Sequence, residues 1–202
     1  MYAEKYQLDP QRHYAEYVRG IIDRTVTSNE VFGFKLMGWY LNWFVERLRG
    51  THAFGDGCEI DVLRNAFPRL QLIRIQRRDK IRQAISKARA YQTGQWKVRG
   101  NDDPVGEPYF DAALIDRCLS EVRSEEEAWN QFFQRTGAEA FTIEYENLAA
   151  DYEQTLAAVL RFLRIRVPRR SFLEPSTVKQ ADAISAEWEA RYREAKEPLA
   201  VA

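Results

Sequence analysis

Apolar residues recur along this chain in two periods, and the densest positive charge falls where one period gives way to the other. From Gln11 onward, Tyr14, Tyr17, Val18, Ile21 and Ile22 lie at helical spacing. They predict an amphipathic helix that ends near the polar residues 25–30. Residues 31–37 (VFGFKLM) form a nearly continuous apolar run between Asn29 and Gly38. This run reads as a buried strand, with Gly33 where another backbone comes close. Residues 39–48 are strongly apolar and helical in character, 50–57 are a loop, and 60–67 make a short helix leading into Pro68. Leu70, Leu72, Ile73 and Ile75 then read as a β-strand. After the polar Gln76-Arg77-Arg78-Asp79 the period turns helical, with Ile81, Ala84, Ile85, Ala88 and Gln92 on one face. Asp79 suits the N-cap, since its carboxylate can accept from free backbone N–H groups of the first turn.

Beyond Trp96, residues 97–108 carry Gly100, Pro104, Gly106 and Pro108 and predict an exposed loop, of the kind that often covers a ligand site. A long helix follows from Tyr109 to about Arg135, with an inner stripe of Phe110, Ala113, Leu114, Cys118, Val122, Trp129, Phe132 and Phe133; Gly137 stops it. Residues 141–145 read as a strand, 146–148 as a turn, 151–163 as a helix, 167–175 as a basic loop and 179–196 as the last helix. Strands alternating with helices predict an α/β fold with a parallel sheet. Three strands are few for so many helices. A chain of 202 residues, 45% of them apolar, supports one sizeable core, so residues 1–202 are expected to form a single domain.

Charge sharpens this picture. The net formal charge is zero, yet residues 70–100 hold nine Lys or Arg against one acid, Asp79. Residues 101–160 hold fourteen acids against three Arg. Such segregation favours a local anion site over a generally basic surface, and places a nucleic-acid role last. Cys58 and Cys118 are the two cysteines, which implies no disulfide framework and a reducing compartment. His13 and His52 have no partners at metal-ligand spacing, so no metal is expected. No apolar run approaches membrane-spanning length and no signal-peptide pattern opens the chain, so a cytoplasmic location is expected.

Arg77 and Arg78 fall where a strand hands over to a helix N-terminus, the usual ligand crevice of an open α/β sheet. Ser86 shares a helix face with Arg82 and Arg89. An arginine fork, a hydroxyl and a helix N-terminus together describe a phosphate site. The plain alternative is a solvated basic helix after an ordinary strand. Lys35, inside the 31–37 run, is a further candidate; its plain reading is a strand-end lysine that reaches water.

The stretch from Arg77 to Trp96 resembles bacterial carbohydrate sulfotransferases of the trehalose 2-sulfotransferase type. Their strand, arginine, aspartate and helix correspond to Arg77, Asp79, Gln83-Ala84-Ile85-Ser86 and Gln92-Thr93-Gly94-Gln95-Trp96. Three further segments agree in order: Gly33 to Met37, Ile143 to Asn147 leading into the helix around Leu156, and Glu187 to Arg193. The resemblance implies a three-layer parallel sheet flanked by helices, as in P-loop-like folds. It also implies sulfuryl transfer from 3′-phosphoadenosine 5′-phosphosulfate to a hydroxyl of a sugar or glycolipid, without a metal. Arg77 and Ser86 map to the 3′-phosphate ligands. Glu4, in Glu4-Lys5-Tyr6-Gln7, maps to the base that takes the acceptor's proton, with Lys5 departing from the pattern. Lys35 would assist the leaving phosphate. Lys179 and Arg170 are candidates for the late basic contacts by their place in the last loop.

The family opens with a strand and a Ser/Gly-rich loop around the 5′-phosphosulfate. Here no Gly precedes Gly20 and no Ser-Gly-Ser-Thr arrangement occurs. The expectation is therefore an N-terminally incomplete domain that lacks the central strand. Such a domain should turn over near background as given and associate through its open sheet, for instance as a homodimer. The alternative reading is a non-catalytic domain that binds 3′-phosphoadenosine nucleotides or a partner.

Overall fold

The computed structural model describes residues 13–96, 106–166 and 183–196. Glu4, Arg170, Lys179 and most of the 97–108 loop lie outside these residues. The described chain is α/β: eight helices and a two-stranded parallel sheet. It divides into two compact units. One takes the chain up to Gln71 together with Ser124–Glu139, and the other takes Leu72–Arg123 together with the chain from Ala140 onward.

The first unit is helical. It contains α1 (Tyr14–Thr25), α2 (Gly38–Arg49), α3 (Glu59–Ala66) and the C-terminal part of α5 (Ala112–Thr136). Leu41, Val45, Leu48, Val62 and Phe132 are buried, as the helical spacing of the apolar residues requires. The 31–37 run is not a strand. It is an irregular segment in which Phe32 and Phe34 pack on Phe67, ring centroids 6.2 and 5.2 Å away. Phe44 joins the cluster at 5.6 Å from Phe34. Ring packing, rather than a backbone ladder, accounts for the apolar character of the run. A Cβ at Gly33 would meet nothing within 4 Å, so the close approach expected there is absent. It occurs instead at Gly38, where a Cβ would lie 2.5 Å from the backbone oxygen of Glu125.

The second unit holds the sheet. β1 (Ile73–Gln76) pairs in parallel with β2 (Phe141–Glu144), in a register that sets Ile73 against Phe141 and Gln76 against Glu144. Paired residues share a sheet face, so Ile73, Ile75, Phe141 and Ile143 form one apolar face. Over β2 that face is covered by α7 (Tyr152–Phe162), whose Phe162 stacks on Phe141 at 5.1 Å, and Ile143 is buried. Over β1 it is open, with Ile75 62% exposed.

Below the sheet strands in sequence, α4 (Lys80–Thr93), the start of α5 and α8 (Ala183–Lys196) share a core. Ala84, Ile85, Ala88, Ile115, Cys118, Leu119, Trp188 and Tyr192 are all buried in it. On α4 the face read from the sequence is the buried one. On α5 Cys118, Val122 and Phe132 of the expected stripe are buried, Ala113 is exposed, and Ile115 and Leu119 are buried beside them. The helix begins at Ala112 rather than at Tyr109. Tyr192 ties α8 to α5 by donating its hydroxyl to Asp116 Oδ1 at 2.5 Å, and burial together with this bond pushes the phenol up to about 12. α4 ends at Gly94, whose φ of 70° is the left-handed conformation that glycine adopts without a Cβ penalty.

Candidate functional site

The junction of β1 and α4 is built as the sequence predicts. Asp79 is the N-cap, and its Oδ1 accepts from the Arg82 backbone N–H at 2.9 Å. Two backbone donors that precede the helix, those of Arg78 and Asp79, are also taken. Glu146, in the first turn of α6 (Tyr145–Ala150) just past β2, reaches across the end of the sheet. Its Oε1 accepts from the backbone N–H groups of Arg78 and Asp79 at 3.1 and 3.3 Å, and its Oε2 accepts from Arg78 N–H at 3.2 Å. Burial pushes the Glu146 carboxyl up, but these backbone donors and the Arg78 charge outweigh it and hold the group below its ordinary value. Two carboxylates of the chain itself thus take the backbone N–H groups of Arg78, Asp79 and Arg82 at this junction.

The arginine fork is likewise divided. Arg78 Nε lies 3.4 Å from Glu144 Oε2 and 3.6 Å from Glu146 Oε2, so one arm is neutralised. Arg77 differs. Its guanidinium lies over the Tyr145 ring at 4.7 Å, its Nε is buried without a hydrogen-bond partner, and no carboxylate pairs with it among the described residues. A half-buried cation on an aromatic face, with donors unspent, is suited to a bidentate phosphate or sulfate group.

Along α4, Arg82 and Arg89 also have partners. Arg82 Nε donates to Glu189 Oε2 at 2.6 Å, and Glu189 Oε1 accepts from Arg193 at 2.8 and 3.1 Å. Burial pushes Glu189 up, and the bonds and charges of Arg82 and Arg193 bring it below its ordinary value. Arg89 Nη1 donates to Ser185 Oγ at 2.7 Å. These two arginines clamp α4 to α8 rather than facing a ligand together. Ser86 sits between them on the helix, half-buried, with no hydrogen bond to its hydroxyl among the described residues.

Of the sequence candidates, Arg77 and Ser86 belong to the same unit and to consecutive elements, β1–α4. Lys35 belongs to the other unit, exposed on the irregular segment before α2. The residues that sequence reasoning passed over are Tyr145, Glu146 and Glu189. They fall within the family-like segments Ile143 to Asn147 and Glu187 to Arg193, but nothing local gives them a role, because their partners lie more than sixty residues away. Only the strand pairing, Gln76 against Glu144, brings 145 and 146 to residues 77–79. No group of three or more His, Cys, Asp or Glu placed to hold a metal occurs among the described residues, and no described helix is long and apolar enough to cross a membrane.

Against known proteins, residues 3–195 match the sequence model of the Stf0 sulphotransferase family. A trehalose 2-sulfotransferase of Mycolicibacterium smegmatis is 31% identical over 170 residues, and one of Mycobacterium tuberculosis is 29% identical over 174. Each alignment takes in 83% of this chain and 62% of the relative, so the chain spans about three fifths of the length of the curated relatives it matches.

Proposed function

The chain belongs to the Stf0 sulphotransferase family, and from that premise we propose that it serves sulfuryl transfer from 3′-phosphoadenosine 5′-phosphosulfate to a carbohydrate hydroxyl. The observation that carries this reading is Arg77: a stacked guanidinium at the end of a parallel strand, without an acid partner among the described residues, while its neighbours Arg78 and Arg82 are ion-paired. Arg77 binds the nucleotide's 3′-phosphate by charge-assisted hydrogen bonds, and Ser86 adds its hydroxyl from α4. These contacts lie far from the transferring sulfuryl group. They bind the donor equally in ground and transition states, and so supply affinity and position rather than barrier lowering.

The chemical step needs a base for the acceptor hydroxyl and positive charge for the leaving phosphate. Glu4 is assigned the first role and Lys35 the second, with Lys179 and Arg170 as further phosphate contacts. The names of the relatives support a sugar acceptor such as trehalose.

The test is calorimetric titration of the chain with adenosine 3′,5′-bisphosphate. Arg77→Ala should weaken binding by roughly ten- to a hundredfold, the equivalent of about 1.5–3 kcal/mol. Ser86→Ala should weaken it less. Parent-like affinity in both variants would remove the assignment. Radiolabelled sulfate offered from the donor to a panel of sugars then identifies the acceptor. Transfer to any sugar above background would exclude the non-catalytic nucleotide-binding alternative.

A further inference from the structure

We propose that Glu146 is a positioning residue for Arg77: its carboxylate fixes the turn from which Arg77 projects, and so sets the affinity for a 3′-phosphate without touching it. The inference rests on the reading of Arg77 as the phosphate ligand.

Three observations carry it. The parallel register ends at Gln76 against Glu144, so residues 77–79 and 145–146 leave the sheet at the same end. Glu146 then occupies both backbone N–H groups that follow Arg77, with Oε1 on Arg78 and Asp79 and Oε2 on Arg78. Finally, its neighbour Tyr145 supplies the ring on which the Arg77 guanidinium lies, at 4.7 Å. Adjacent residues thus hold the backbone that follows Arg77 and the Arg77 side chain itself.

An acid so near a phosphate ligand would ordinarily work against binding. Here its charge is met by two backbone donors and by Arg78 at 3.6 Å. The same contacts neutralise Arg78, which leaves Arg77 as the cation offered at this turn. An amide at 146 offers a single acceptor oxygen, which could meet Arg78 and Asp79 but not return the Oε2 contact or the charge. A methyl group offers nothing. Preorganisation of this kind shows as affinity, because a ligand need not order the turn as it binds.

The experiment compares two probes, adenosine 3′,5′-bisphosphate and adenosine 5′-monophosphate, which differ by the 3′-phosphate alone. The quantity read is the ratio of their dissociation constants. Glu146→Ala should shrink the ratio by about tenfold while leaving affinity for the monophosphate as in the parent, and Glu146→Gln should retain part of it. In an Arg77→Ala background, Glu146→Ala should change nothing further, since residues acting as one unit are not additive. Where Glu146→Ala does not fold, Glu146→Gln alone and with Arg77→Ala carries the same comparison. A parent-like ratio in the Glu146 variants, with Arg77→Ala shrinking it, overturns the positioning role and leaves the function standing. A parent-like ratio in Arg77→Ala overturns both. Equal weakening of both nucleotides by Glu146→Ala marks a general structural role and overturns the inference.

Discussion

Glu189→Gln is the substitution whose effect the geometry determines most fully. The Glu189 side chain is 14% exposed and bridges Arg82 of α4 to Arg193 of its own helix. Glutamine keeps one acceptor oxygen and turns an NH₂ group toward a guanidinium, so one charge-assisted bond becomes a donor facing a donor. Such a bond is worth about 1.5–3 kcal/mol where it is shielded from water. Arg82 and Arg193 are 50% and 54% exposed, so both can rehydrate and both are screened. The Arg193 contact spans four residues of one helix and contributes about 0.3–0.5 kcal/mol. The sum after screening is about 1–2 kcal/mol. Urea unfolding at neutral pH should show a lower midpoint at unchanged slope.

The pH dependence gives the sign. The Glu189 carboxyl is held below its ordinary value in the folded protein. Its contribution is therefore complete above the unfolded glutamate pKa of about 4.3 and is lost as pH falls through the lower folded value. The gap between parent and Glu189→Gln should close over that acid range. A gap that is absent at neutral pH, or one that persists unchanged into acid, would refute the reasoning.

Two further substitutions test the packing. Ile85→Ala, at a fully buried position of the α4 core, should cost about 2–5 kcal/mol, whereas Ile75→Thr on the open face of β1 should fall within about 0.5 kcal/mol of the parent. Denaturant titration of both reads the contrast, and equal costs would contradict the burial described. Gly38→Ala should destabilise by about 1–3 kcal/mol, because its Cβ would meet the Glu125 backbone, which cannot rotate away; an unchanged thermal midpoint would contradict that contact.

The β1–α4 junction is legible in the sequence because its determinants are local: the β-prone run that gives way at Gln76, and Asp79 as a cap three residues before Arg82. The same holds for β2 and for the buried face of α4. The 31–37 segment was not legible as an irregular run. A short continuous apolar stretch suits a buried strand and a ring cluster equally, and periodicity cannot separate them. The proposed phosphate site was legible in part. Nine cations against one acid between residues 70 and 100 suggested a joint arginine fork, but charge along the chain is not charge in space. Glu144, Glu146 and Glu189 return from distant segments to neutralise Arg78 and Arg82, and the sheet register that brings the first two is a non-local fact. Among the described residues, Arg77 is where the family resemblance and a cation without a carboxylate partner coincide.

The most direct test of that assignment is a ³¹P NMR titration of adenosine 3′,5′-bisphosphate with the parent chain and with Arg77→Ala. The 3′-phosphate resonance should move on binding to the parent and stay near its free position in the variant at matched occupancy. A 3′-phosphate shift that survives in Arg77→Ala, or movement of the 5′-phosphate resonance alone, would contradict the account.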